Sequence, residues 1–212
     1  LQRALRKNLQ HAAEMFPQDV LELRALINAD ASLPIHATPG RNANIEFWML
    51  GSSLFGAKLA AHLGMPYAFA AHFAPDRLDD ALNLYRAEFK PSETLDRPYV
   101  MVAMNVFAAA TDQEAEFLAS SQQQSFVSLR SGKPGKLPPP RENYKSSLPP
   151  SSLAMLTHLD QAAAVGGINR IRKKIESFVE RTAADELIVC GATFDPKARI
   201  ASLKMTMESM RR

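Results

Sequence analysis

Positions 51–53 carry the residues with the clearest chemical potential, Gly51, Ser52 and Ser53, between an apolar run and a helical pattern. Gly51 permits a tight turn, and the serines supply hydroxyl groups. A helix that begins near Leu54 presents unpaired N–H groups and the positive end of its dipole. Such a corner binds a phosphate group. A Gly-Ser-Ser turn before a helix also serves simply as an N-cap, and the sequence has neither a P-loop nor a GxGxxG fingerprint.

Three more polar side chains follow or end apolar runs. His72 could titrate near neutrality and act as a catalytic group, or it could be a histidine hydrogen-bonded at the rim of the fold. Asn105 either points into a site or is a satisfied amide of the core. Cys190 is expected to be a buried small residue, since no neighbour that would stabilise a thiolate is evident. The remaining histidines show no metal-ligand spacing, and no metal is predicted.

Composition excludes several classes of protein. The chain has 212 residues, of which 46% are hydrophobic and 22% charged, as in an ordinary globular domain. Its formal charge of +3 is spread along the sequence, so a nucleic-acid partner is not expected. No apolar run has the length of a membrane span, and no signal peptide is visible. A single cysteine cannot form an internal disulfide and fits a cytoplasmic location.

Short apolar runs alternate with helical patterns along the chain. The predicted strands are Ile45–Leu50, Tyr67–Phe73, Tyr99–Ala108 and Glu186–Thr193. The predicted helices are Leu1–Ile27 with a break at Pro17, Leu54–Leu63 ended by Gly64, Asp76–Phe89 capped by Asp76, residues 111–129 with a capping box at Thr111 and Glu114, Leu153–Ala164, Ile168–Thr182 and Pro196–Arg211.

This order of elements predicts an α/β fold with parallel strands. Strands that are apolar on both faces and alternate with helices form parallel β/α units, of which four are countable. Both an open doubly wound sheet and a closed eight-stranded barrel use such units, and both bind ligands at the C-terminal ends of the strands. The segment 130–152 is rich in proline, glycine and charge, and it is predicted to be a mobile loop that helps to close the site.

Four stretches resemble one known family. "LGSSLFGAKLAAHLGMPYAFAAHFAP", "VMVAMNVFAAATDQEAEFLASS", "SGKPGKLPPP" and "ADELIVCGATFDPKARIASLKM" together resemble the luciferase-like, flavin-dependent monooxygenases, closest to the single-chain bacterial branch. The resemblance covers nearly the whole chain in the same order. It implies a (β/α)8 TIM-type barrel that binds FMN at its C-terminal mouth and uses reduced FMN and oxygen to oxygenate an organic substrate.

The resemblance also assigns individual residues to a flavin site. Ser53 matches the serine that hydrogen-bonds the flavin phosphate, while Ser52 and Gly56 occupy neighbouring positions of the same loop, which begins at Gly51. Relatives also carry a helix arginine that pairs with this phosphate, and Arg3 falls at that position, although an exposed helix arginine is an equally simple interpretation.

The flavin ring is expected over the end of the second predicted strand. Ala70 and Ala71 lie there, and their small side chains leave room for the ring; His72 follows as the candidate catalytic residue. Implied partners are a small organic substrate, oxygen, a flavin reductase that supplies reduced FMN, and further copies of the chain in a homo-oligomer.

The same resemblance predicts that part of the barrel is missing from these 212 residues. Such a barrel needs about 250 residues and eight strands, so the single domain at 1–212 is expected to be the C-terminal half. Two alternatives to the oxygenase stay open. One is a flavin-binding or truncated barrel protein without turnover, and the other is a relative that transfers hydride from a deazaflavin.

Overall fold

A computed structural model describes residues 11–28 and 33–211. The chain divides into two compact units, the first ending at Trp48 and the second beginning at Met49. The first unit contains one described helix, α1 (Ala12–Ile27). None of the described helices combines the length and the apolar character that a membrane-spanning helix requires.

The second unit is an α/β structure. Its strands are β1 (Met49–Gly51), β2 (Tyr67–Phe69), β3 (Val100–Ala108), β4 (Ala163–Gly166) and β5 (Glu186–Cys190). Its helices are α2 (Leu54–His62), α3 (Leu78–Glu88), α4 (Asp112–Arg130), α5 (Pro150–Leu159), α6 (Ile168–Thr182) and α7 (Pro196–Met210). Short 3-10 turns lie at Pro75–Arg77, Tyr144–Ser147 and Asp160–Ala162.

All pairs in the sheet are parallel, which confirms the predicted class of fold. The strands follow the order β1-β2-β3-β4, and β5 pairs with β3. Strand β3 therefore has three neighbours: β2 pairs with its first residues, β5 with its middle and β4 with its last residues. The C-terminal ends point in the same direction but are staggered along β3: β2 ends opposite Val102, β5 ends opposite Asn105, and β4 ends with β3 at Ala108.

The core surrounds β3, whose residues are buried on both faces. Val102 and Phe107, whose side chains point to opposite faces of the strand, are both buried, as expected of a central parallel strand. Helix α2 presents the small residues Ala57 and Ala60 to the interior, which lets it pack closely against β1 and α3. This arrangement fixes the strand ends as a rigid platform for a site.

The predicted strand boundaries were too long, and one strand was missed. The first strand is Met49–Gly51 rather than Ile45–Leu50, the second stops at Phe69 and the last stops at Cys190. Strand β4 lies partly inside the region predicted as a helix to Ala164. Its sequence, "AAVG", begins with two alanines, which favour a helix and continue the preceding helical pattern, so pairing with β3 selects the extended conformation.

Four residues were predicted to begin, break or end a helix; two of these predictions were wrong and two are confirmed. Pro17 lies inside α1 without ending it, and Asp76 lies in a 3-10 turn, so α3 begins later, at Leu78. The Thr111 side chain does accept the N–H of Glu114 at 3.1 Å, as in a capping box. Gly64 follows α2 with a φ of +58°, the left-handed conformation that glycine tolerates.

Candidate functional site

The C-terminal ends of the strands carry two glycine-containing corners that lead into helices. One is the corner Gly51–Ser53 between β1 and α2, and the other is Gly166–Gly167 between β4 and α6. At the second corner, Oδ1 of Asp112 accepts the N–H of Gly167 at 2.7 Å, and Oδ2 accepts from Arg170 at 3.1 Å. A carboxylate of the protein thus already lies at the N-terminus of α6.

At the corner between β1 and α2, by contrast, the N-cap serine does not use its side chain to cap the helix. Ser53 is the N-cap residue of α2, with φ −137° and ψ 162°, and its side chain makes no capping hydrogen bond. Its carbonyl accepts the Tyr67 hydroxyl at 3.3 Å. Gly56 is buried, and a Cβ built on it would lie 3.8 Å from the Cα of Gly51, so the loop folds closely onto the first turn of α2. The serine hydroxyl and the first N–H groups of the helix are the donors that this corner offers.

The turn after β2 adjoins this corner. The N–H of Ala70 donates to the carbonyl of Gly51 at 3.0 Å, which joins the two strand ends. The carbonyl of Ala70 accepts the N–H groups of Phe73 and Ala74, both at 3.1 Å, so the backbone turns back immediately after the strand. Ala71 is fully buried. The turn therefore presents little side-chain bulk next to the corner.

His72 is half-buried at the end of this turn. Its Nδ1 atom is buried and has no hydrogen-bond partner within the described part of the chain. Burial lowers the pKa of the imidazole below its ordinary value, because the interior disfavours the charged form. The ring is therefore neutral at physiological pH.

Two amides connect His72 to the end of β5. Asn105 donates from Nδ2 to the His72 carbonyl at 2.6 Å, and its Oδ1 accepts from Nε2 of Gln122 at 2.7 Å. The Oε1 of Gln122 in turn accepts the N–H of Ala192 at 2.7 Å. Asn105 is thus a satisfied buried amide, the second of the two interpretations that its sequence left open.

A cleft of ≈ 350 Å³ lies between these strand ends and α4. Its size suits a small organic molecule. Aromatic and aliphatic side chains, among them Phe73, Phe126 and Leu137, line it together with His72 and Arg199.

Cys190 also lines the cleft, but its chemistry is passive. Burial raises the pKa of its thiol, and the nearby Arg199 guanidinium only partly opposes that effect. A thiol is a weak nucleophile compared with a thiolate, so Cys190 is a wall residue rather than a nucleophile.

The family of the chain is shown by comparison with known proteins. The model of the luciferase-like monooxygenase family matches residues 2–186. The chain belongs to this family. A protein of Escherichia coli strain K12, named luciferase-like monooxygenase, is 43% identical over 206 residues, which cover 97% of this chain and 62% of that relative. The chain thus spans about three fifths of the length of the relatives it matches.

Solved structures agree on the fold. The crystal structure of apo-MsnO8 matches with a TM-score of 0.77 and 25% identity, over 92% of this chain and 60% of that one. An F420-dependent secondary alcohol dehydrogenase matches with a TM-score of 0.61 at 13% identity, over 94% of this chain and 62% of that one. A type II Baeyer–Villiger monooxygenase from Pseudomonas putida, solved with FMN, matches with a TM-score of 0.54 at 17% identity, over 85% of this chain and 52% of that one. The last two show a shared fold only.

The structure brings most of the residues predicted for a luciferase-like site to one edge of the sheet. Gly51, Ser53 and Gly56 form the corner, and Ala70 is hydrogen-bonded to it. Ser52 lies in the same corner, half-exposed. Arg3 is outside the described residues, so its predicted role stays a prediction.

Sequence reasoning missed three residues that shape this edge of the sheet. Gln122 lies in the run "SSQQQS" of α4, where nothing distinguishes it from its neighbours. Arg199 lies on α7, in a stretch without a motif, and Asp112 reads as an ordinary acidic residue in the first turn of a helix. Among the described residues, no group of histidine, cysteine, aspartate or glutamate could hold a metal ion.

Proposed function

We propose that this chain contributes the flavin and substrate sites of a monooxygenase that uses reduced FMN and molecular oxygen to oxygenate a small organic substrate. The observation that carries the proposal is the row formed by the Gly51–Ser53 corner, the Ala70–Ala71 turn and the cleft at His72. Adjacent strands are about 4.8 Å apart, so a phosphate at the end of β1 and a ring over β2 are within reach of one flavin nucleotide.

The corner is the proposed phosphate site. The uncommitted Ser53 hydroxyl and the N-terminal N–H groups of α2 provide donors, and the helix dipole favours a negative group. Gly51 and Gly56 keep side chains away from the approaching phosphate. Ser52 is placed to add a second hydroxyl. The corner at α6 is a poorer candidate because the Asp112 carboxylate already occupies it.

The turn and the cleft are the proposed sites for the ring and the substrate. The small side chains of Ala70 and Ala71, of which Ala71 is fully buried, leave room beside the corner, and Phe73 and Phe126 form an apolar wall of the neighbouring cleft. His72 lines the cleft with a half-buried imidazole that is neutral at physiological pH, so the ring adjoins the place proposed for the substrate. His72 is therefore the proposed catalytic residue.

The cofactor supplies the oxygen chemistry when it is bound, and the protein supplies binding, orientation and a dry site. A flavin reductase that supplies reduced FMN is part of the proposal. A homo-oligomer of the whole protein is part of the proposal.

A deazaflavin-dependent hydride transfer is the second candidate. The fold shared with an F420-dependent alcohol dehydrogenase favours it, and a corner that binds phosphate does not distinguish one ring from the other. A flavin-binding protein without turnover is the third. The three candidate functions predict different results for two measurements. These are which reduced cofactor binds, and whether the bound cofactor reacts with oxygen at a different rate from the free one.

The test uses protein prepared at the full length of its reading frame. Reduced FMN and reduced deazaflavin are titrated separately without oxygen, and each complex is then mixed with oxygenated buffer in a stopped-flow spectrophotometer. We expect reduced FMN to bind and its reoxidation to differ from that of free reduced FMN. Binding of the deazaflavin alone would support hydride transfer. Binding of FMN with unchanged reoxidation would support a protein without turnover.

A further inference from the structure

Two amide side chains join opposite walls of the cleft, and we call Asn105 and Gln122 the amide relay. The backbone atoms at its two ends determine its direction. The N–H of Ala192 can only donate, so the oxygen of Gln122 must face it. The carbonyl of His72 can only accept, so the nitrogen of Asn105 must face that group. The remaining pair, Gln122 nitrogen and Asn105 oxygen, is then complementary at 2.7 Å.

The relay binds the backbone of His72 and leaves its ring free. Asn105, on the central strand, is buried and holds the His72 carbonyl at 2.6 Å. The buried Nδ1 atom of the same residue has no partner in the described part of the chain, and the side chain lines the cleft. Nδ1 is therefore hidden from the cleft, and a molecule in the cleft can meet only the remaining part of the ring. The relay fixes the backbone of the turn and thereby the position of that ring at the cleft wall.

We propose that Asn105 and Gln122 are positioning residues, which lock the His72 turn to the Ala192 loop and so fix the position of the His72 imidazole at the wall of the cleft, next to a substrate. The presence of a substrate in the cleft rests on the proposed oxygenase function. The locking itself depends only on the hydrogen bonds of the protein.

The surroundings of His72 favour this role. The charged or titratable groups around the cleft are Cys190 from β5, Arg199 from α7 and Arg130 from the end of α4. The guanidinium of Arg130 lies 5.6 Å from the centre of the Phe73 ring. No carboxylate is among the described residues that line the cleft. Nothing there stabilises a protonated His72, and burial keeps its pKa low.

The first test measures the titration of His72 and needs no cofactor. Gln122→Met and Asn105→Leu remove the amides with little change in volume, and NMR follows the imidazole signals with pH, His72 being assigned from His72→Asn. We expect the pKa of His72 to rise towards its ordinary value of 6.5 in both variants, because the released turn lets water reach the ring. Gln123→Met is the matched control, a buried glutamine of the same helix outside the relay.

The second test measures turnover and binding in the full-length protein. Loss of one relay hydrogen bond should lower kcat/KM about tenfold, while the Kd for FMN changes less than about twofold, since the phosphate corner is untouched. The double variant should be no worse than the worse single variant, because the two amides act as one unit.

The outcomes separate the relay from the proposed function. An unchanged His72 titration in Gln122→Met, or additive effects in the double variant, would overturn the relay. If Asn105→Leu does not fold, Gln122→Met alone decides. If even the unmodified protein shows no turnover, the oxygenase proposal fails, and the NMR result still decides whether the relay positions His72.

Discussion

Gly191 lies so close to Val106 that a Cβ on the glycine would be 2.7 Å from the Val106 carbonyl oxygen. This contact occurs where the chain leaves β5 beside β3, at the wall of the cleft. A backbone oxygen cannot move aside as a flexible side chain can. The packing of β5 against β3 therefore requires glycine at this position, and the cleft geometry depends on it.

The first prediction follows from that contact. Gly191→Ala should destabilise the protein by about 1–3 kcal/mol, the usual cost of forcing an extra methyl group into a packed site. Chemical denaturation measures it. Gly135→Ala is the control, because a Cβ there has nothing within 4 Å. Equal stability of the two variants would show that β5 does not pack against β3 in this way.

How much the sequence predicts depends on whether the signal is local. The glycine-serine corner was predictable because turn and cap residues adopt their conformations for reasons within a few residues. The helix cap at Thr111 was predictable for the same reason. Strand β4 and the contact of Gly191 with β3 were not, since tertiary pairing selects them. Gln122 was not predictable because its role depends on Ala192, in the loop after β5, which is 70 positions away.

The second prediction concerns the phosphate corner. Ser53→Ala should weaken FMN binding by about 1–2 kcal/mol, the scale of a hydrogen bond to a charged group. Fluorescence titration of the full-length protein measures the Kd. Ser151→Ala is the control, an exposed serine in the first turn of α5, a helix that does not contribute to the corner. Unchanged affinity in Ser53→Ala would remove Ser53 from the phosphate site.

The third prediction concerns Asp112 and acid. The N–H of Gly167, and then the Arg170 guanidinium, lower the pKa of this carboxyl below its ordinary value of 3.8. Because the folded form has the lower pKa, the stabilisation is fully present above about pH 4 and is lost as the pH falls through the folded pKa. Asp112→Asn should therefore be less stable than the natural protein at pH 7, and the difference should shrink below pH 3.8. Denaturation at pH 7, 5 and 3 measures it, and a constant difference would contradict the assignment.

The fourth prediction concerns the segment 130–152, expected from sequence to be a lid, of which residues 131–149 connect α4 to α5. Two side-chain hydrogen bonds hold this connection to α4: Ser120 Oγ accepts the N–H of Arg141 at 2.7 Å, and Gln124 donates to the Pro139 carbonyl at 2.9 Å. The part before these anchors carries Leu137 into the cleft wall. We therefore expect the mobility of the backbone around Leu137 to depend on whether the cleft is empty or occupied.

Trypsin tests this expectation through cleavage after Lys136. FMN together with decanal, an aliphatic aldehyde used as a probe, should slow that cleavage, because a filled cleft holds Leu137 in place. Cleavage after Arg41, in an exposed turn of the first unit, serves as the control and should not change. If cleavage after Lys136 is insensitive to both probes, the loop is a connector.

The last prediction is that the 212-residue chain on its own is not an active, stable monomer. Helix α7 buries the polar residues Ser202, Thr206 and Ser209, as its packing against β3 and α6 requires. A neighbouring face of the helix exposes an apolar stripe at helical spacing: Ile200 (55%), Leu203 (39%), Met207 (63%) and Met210 (43%). Burial is worth about 25 cal/mol per Å², so several hundred Å² of such surface in water forfeits several kcal/mol, comparable with the net stability of a domain.

Self-association should cover this stripe in the isolated chain. Sedimentation velocity should find associated species, and flavin titration should find weak binding. The variant Ile200→Lys with Met207→Lys should shift the chain towards monomer with its circular dichroism unchanged, because charges on an exposed stripe oppose association without touching the core. A compact monomer that unfolds cooperatively and binds FMN tightly would contradict the prediction, since it would mean that water-exposed apolar residues on α7 carry no penalty that matters for this fold.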